Sequence, residues 1–173
     1  MNWYQTVFEL IDMRSFSNLW YWIALAVLWS TASHWVLGVP FDMVVRARRH
    51  GGQTAQDLEY LVGINVRRLL FIGGVSGLWM VAFSTTILTS LALLGFWYGV
   101  EFAQALLLLL FPMTLVGLMS LRTARRIARE GAAGPDLWKR LTRHRMGVQA
   151  IGMLSILVTA MWGMWQNIQI GPM

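Results

Sequence analysis

The stretch Arg122–Arg145, RTARRIAREGAAGPDLWKRLTRHR, carries eight of the fourteen Lys and Arg residues of the chain. Phe102–Leu121 before it and Met146–Trp165 after it contain no formal charge. Basic side chains resist translocation, so a basic connection between two apolar runs marks a segment held in the cytoplasm. Each flanking run is about 30 Å long as a helix, the thickness of a hydrocarbon core. Phe102–Leu121 contains five consecutive leucines followed by Phe111-Pro112. The proline removes a helical hydrogen bond and predicts a kink.

Two further apolar runs precede this pair. Leu19–Val39 is free of formal charge, opens on Trp20, Tyr21 and Trp22, and is closed by Pro40. Leu69–Leu94 contains Gly73 and Gly77 in a G-x-x-x-G pair, the kind of small-residue stripe that lets helix backbones approach in lipid. Residues 41–68 form a second basic connection with Arg46, Arg48, Arg49, Arg67 and Arg68. His50-Gly51-Gly52 interrupts it, and a helix is expected to restart at Thr54, which has capping-box spacing to Asp57. Gly95–Glu101 has neither Lys nor Arg, and its Trp97 and Tyr98 suit an interface belt. With both basic connections inside, only Arg14 lies on the outer side. Residues Asn2–Met13 read as an amphipathic interfacial helix, with Trp3, Val7, Leu10 and Ile11 opposite Gln5, Glu9 and Asp12. Glu9 and Asp12, with no small-residue cleavage site after them, argue against a removable signal peptide.

Composition points the same way. Apolar residues make up 57% and charged residues 13%, against about 45–50% and 25% in soluble domains. The excess of six positive charges lies between apolar runs, which favours anionic lipid head groups over nucleic acid. The absence of cysteine removes disulfides, thiol redox chemistry and cysteine-held clusters within this chain. The expected fold is all-α: a single domain forming a four-helix transmembrane bundle with an N-terminal interfacial helix. Its spans are about 19–39, 69–94, 102–121 and 146–165, its cytoplasmic connections 41–68 and 122–145. The expected location is the bacterial inner membrane, with both termini periplasmic.

No nucleophile elbow, phosphate-binding glycine loop, zincin motif or paired intramembrane carboxylate appears. Candidate sites are therefore single residues or faces. His34 lies within the first run, where Ser30 and Thr31 offer local hydrogen-bond partners. His34, His50 and His144 stand on three segments near the cytoplasmic side, and imidazole is a common ligand for metals and haem iron. No H-x-x-H spacing accompanies them, so no metal or cofactor is expected and the three stay weak candidates. Glu101 and Gln104, at the outer start of the third run, form a possible ion path. The carboxylate there also suits a helix N-terminus. Arg122, Arg125, Arg126 and Arg129 fall on one helical face, facing lipid phosphates or docking acidic groups of a partner. Ser155, Thr159 and Gly163 make a second packing stripe on one face of the last run.

The run MNWYQTVFELIDMRSFSNLWYWIALAVLWSTASHWVLGVPFDM at residues 1–43, with LRTARRIARE at 121–130, resembles a family of small alphaproteobacterial inner-membrane proteins. Some members are described as components of the SufBCD iron–sulfur assembly complex. This chain departs from that description in having no cysteine and no nucleotide-binding loop, so the likeness implies at most a membrane partner of such a complex. The expected function is a non-catalytic accessory, scaffold or assembly subunit of a larger membrane complex, with a protein partner or further copies of itself. The alternatives are a small oligomeric transporter or channel, and a haem- or metal-binding membrane protein that uses the histidines.

Overall fold

The computed structural model describes residues 15–169. The expected interfacial helix at Asn2–Met13 lies outside them. A 3-10 turn at Ser15–Ser17 leads into α1, Leu19–His34, which starts where the Asn18 side chain accepts a hydrogen bond from Trp20 N at 3.0 Å. An N-cap acceptor of this kind satisfies one of the orphan donors of the first turn.

The first expected span is too long at its C-terminal end. α1 stops at His34, and Trp35–Val36 (β1) pairs antiparallel with Val39–Pro40 (β2). The turn between them places Leu37 at φ 51° and Gly38 at φ 77°. Two left-handed residues in succession match the twist of a two-residue hairpin, and Pro40 cannot donate to a continued helix. The helix thus stops five residues before the apolar run ends.

The first connection is helical almost throughout. α2 is Phe41–His50, and Gly51 at φ 59° turns the chain into α3, Gly52–Val75. The second expected span, 69–94, is cut inside its glycine-rich start. Leu69–Val75 closes α3, Ser76 sits at φ −110° and ψ 3°, and α4 runs Gly77–Ala92. Ser76 N donates to Ile72 O at 2.8 Å and Met80 N to Ser76 O at 2.9 Å, so hydrogen bonding continues through the break. A π turn, Leu93–Trp97, ends this arm. α5 is Glu101–Glu130 and α6 is Gly134–Gln169, joined through Gly131, a left-handed C-cap at φ 56°. Pro112 stays inside α5 without ending it.

The architecture is all-α apart from the short hairpin. Among the described residues three stretches, Gly77–Trp97, Glu101–Glu130 and Gly134–Ile168, are long and apolar enough to cross a membrane. α1, at 16 residues, is about 24 Å long and falls short of that measure. α6 packs against both α5 and α1, and α5 packs against α3 and α4.

The two basic connections close on each other around an apolar core. Val36, Val39, Val44, Ala47, Leu58, Val62, Ala124, Leu137 and Leu141 are buried there, contributed by the hairpin, α2, α3, α5 and α6. Each fully buried Leu or Val contributes about 1.5–3 kcal/mol. The Glu59 carboxylate fastens the same region by accepting from Gly134 N at 2.7 Å.

At the other packing centre, Leu25 and Trp29 of α1 meet Val148 of α6. A Cβ on Gly152 would lie 2.7 Å from Trp29 Cε3, and one on Gly147 would lie 2.9 Å from Met119 Sδ. At Gly152 α6 therefore approaches the Trp29 ring more closely than a Cβ would allow without moving it, whereas at Gly147 the flexible end of Met119 would have to shift. Replacing Gly152 with Val should force Trp29 aside and destabilise the fold by about 1–3 kcal/mol, read as a shifted unfolding midpoint in detergent. An unshifted midpoint would show that α1 and α6 are not in close contact.

Candidate functional site

Among the described residues the concentrated charge lies in a cleft between α5 and α6 near their connecting turn. The cleft has a volume of about 650 Å³ and is lined by Arg122, Thr123, Arg125, Arg126, Arg129, Glu130, Arg140 and Arg143. All four arginines of the expected α5 face are exposed and belong to it. Sequence reasoning missed Arg140 and Arg143. A signal was present: they are three residues apart on α6, and the short turn at Gly131–Ala133 folds that face back onto α5. Against six guanidiniums stands the Glu130 carboxylate, paired with Arg140 and lying 3.9 Å from Arg126 Nε. The cleft therefore carries an excess of positive charge.

The three histidines do not come together. His144 is buried, with Nδ1 3.1 Å from Thr123 Oγ1 and Nε2 3.4 Å from Ser120 Oγ. Ser120 Oγ donates to its own helix at Val116 O, 2.8 Å away. The pattern is that of an imidazole donating from Nε2 to Ser120 and accepting at Nδ1 from Thr123. His34 and His50 are exposed and line a separate recess of about 470 Å³ with Phe41, Asp42, Arg46 and Arg145. There the Arg145 guanidinium stacks 4.0 Å above the Phe41 ring and its Nε donates to Ser33 O at 3.2 Å. Among the described residues no three His, Asp or Glu side chains gather as metal ligands do.

Glu101 and Gln104 are engaged in joining elements. Glu101 Oε1 accepts from Phe16 N at 2.9 Å, tying the 3-10 turn to the start of α5. Gln104 is buried, and its amide is used at both ends. Nε2 donates to Gly95 O at 2.7 Å, while Oε1 accepts from Trp162 Nε1 at 3.0 Å and Gln166 Nε2 at 2.7 Å. A Cβ on Gly95 would lie 3.0 Å from Gln104 N, so the π turn at Leu93–Trp97 brings a bare backbone against α5. The amide thus links the π turn, α5 and α6.

The packing stripes divide. Ser155 Oγ donates to Leu108 O at 3.4 Å, Thr159 is fully buried, and a Cβ on Gly163 would sit 3.2 Å from Phe16 Cβ. That stripe is consumed inside the chain. A Cβ on Gly73 would lie 2.9 Å from Leu121 Cδ1, whereas one on Gly77 would meet open space. Both glycines line a groove of about 420 Å³ between the α3–α4 arm and α5, together with Ser84, Thr114 and Gly117. Gly117 is also open among the described residues.

The chain matches no family model, no curated protein and no solved structure.

Changing Gln104 to Leu strands Gly95 O and the Trp162 and Gln166 donors. Interhelical hydrogen bonds and stranded polar groups together should cost about 2 kcal/mol. Glu101→Gln, which keeps an acceptor oxygen for Phe16, should cost less than about 1 kcal/mol. Unfolding of both variants in detergent checks the order, and a Gln104→Leu variant as stable as the parent would refute the bridging role.

Proposed function

We propose that this is a non-catalytic, four-span protein of the bacterial inner membrane that serves as an accessory or scaffold subunit of a larger complex. The single observation that carries the reading is the groove beside α4. α4 has no buried residue, and Leu78, Trp79 and Phe83 on it are 83%, 79% and 69% exposed. A helix apolar all round belongs in lipid or against other helices. Lipid alone would cover its bulky side chains. The furrow along Gly77, Ser84, Thr114 and Gly117 is different, because small residues at a helix seam admit another backbone closely. In this reading the groove receives a transmembrane helix of the partner protein. The engagement of Glu101 and Gln104 in hydrogen bonds between elements favours a structural role over an ion path.

The topology in this proposal puts both basic connections in the cytoplasm and both ends outside, following the distribution of arginines. The cysteine-free chain allows a direct test. A cysteine replacing Ala133 should react with an impermeant thiol reagent only after the membrane is opened, and one replacing Tyr98 should react from the outer face of spheroplasts. The reverse pattern would invert the topology.

The partner is tested by mild-detergent purification of the whole chain, followed by identification of bound proteins. Gly77→Leu and Gly117→Leu together should reduce partner recovery at least tenfold while changing the unfolding free energy by no more than about 0.5 kcal/mol, because both positions face open space. Unchanged recovery with the groove filled would refute docking there. Recovery of a second copy of this chain in place of another protein would replace the accessory reading with self-association.

A further inference from the structure

Two hollows lie end to end along the α5–α6 pair. The arginine cleft occupies the end near the turn. Farther along the same two helices is a furrow of about 410 Å³, lined by Leu108, Phe111, Leu115, Leu154 and Val158 among others. Residues three, four and seven apart on a helix share a face. On α5, Leu108, Phe111, Leu115, Arg122 and Arg129 succeed one another at such steps. On α6, Arg140, Arg143, Gly147, Ile151, Leu154 and Val158 do the same. Between the hollows the helices touch where Met119 Sδ would meet a Cβ on Gly147. The cleft and the furrow therefore belong to one side of one seam, polar at one end and apolar at the other.

We propose that this seam binds a single anionic phospholipid whose head group bears two phosphates, with the phosphates among the arginines and an acyl chain along the furrow. The inference rests on the membrane reading above and names the ligand of its most charged surface. Arg122 immediately follows the apolar part of α5 and Arg143 stands just before that of α6, which sets both at head-group depth. Arg122 to Arg129 spans about 10 Å along the helix, room for more than one phosphate. Six guanidiniums facing one another repel, and Glu130 relieves only part of that repulsion. Planar guanidinium forks bind phosphate oxygens in pairs, and basic pockets between membrane helices take lipids of this kind. The apolar furrow is what commits the site to a lipid over a soluble polyphosphate.

The test uses the full chain, delipidated in detergent and then offered diphosphatidylglycerol, phosphatidylglycerol, phosphatidylcholine or inorganic pyrophosphate, with retention read by native mass spectrometry. The two-phosphate lipid should be held at least tenfold more tightly than the one-phosphate lipid, and phosphatidylcholine should not be retained. Combined R122Q, R129Q and R143Q should remove the preference, while E130Q should strengthen it several-fold. V158W, which fills the furrow, should weaken lipid retention and leave pyrophosphate binding unchanged. Equal retention of all three lipids, or a preference untouched by the triple substitution, would overturn the proposal. Pyrophosphate displacing the lipid at equal concentration would overturn it in favour of a soluble ligand. Resistance to alkaline extraction from vesicles separates the two levels. A chain washed off the vesicles defeats the membrane reading itself, whereas one that stays embedded yet shows no lipid preference defeats only this inference.

Discussion

Close approach along α6 is the constraint from which the remaining geometry follows. In a protein core an extra methyl group is felt at the scale of a kcal/mol. α6 meets Met119 at Gly147, Trp29 at Gly152 and Phe16 at Gly163, each with less room than a Cβ requires or with barely that much. Those three contacts hold α5, α1 and the 3-10 turn to one post. α3 and α4 reach α6 mainly through α5, so the bundle is layered outward from the α5–α6 pair. The exposure of α4 is a consequence of that order.

The two ends of the bundle solve the polar problem differently. At the Gln104 end, one amide gathers the π-turn backbone and the two α6 side chains, where water would otherwise have to serve. At the other end the connections bury a core of ordinary aliphatic side chains, and the arginines stand outside it. The basic segments are thus a packed cap on the helices, with their charges displayed on its surface. Charges arranged in this way can hold a fixed geometry toward a ligand, which loose loops cannot do.

Helical periodicity and charge distribution made much of this legible. The last two apolar runs sit inside α5 and α6, and the Arg122–Arg129 face lines a cleft as a single face should. What could not be read was long-range. Nothing local in Gly95 or Gln104 says that they touch, since that contact depends on a π turn and on α6 coming alongside. The hairpin at Leu37-Gly38 was hidden because an uncharged run looks the same whether it continues as a helix or folds back. Similarly, the G-x-x-x-G pair is a single pattern in sequence, yet a Cβ on Gly73 would meet Leu121 while one on Gly77 would meet nothing.

The early end of α1 matters for whatever surrounds the protein. In the membrane reading, its 16 residues, about 24 Å of helix, contrast with an apolar stretch of 21 residues in the α4 arm. A bilayer must then be thinner on one flank than on the other, or the protein must tilt to share the difference. Either response costs a fraction of a kcal/mol per ångström of mismatch. Such asymmetry would draw shorter-chain lipids to the α1 flank and sort the protein toward thinner regions of the membrane.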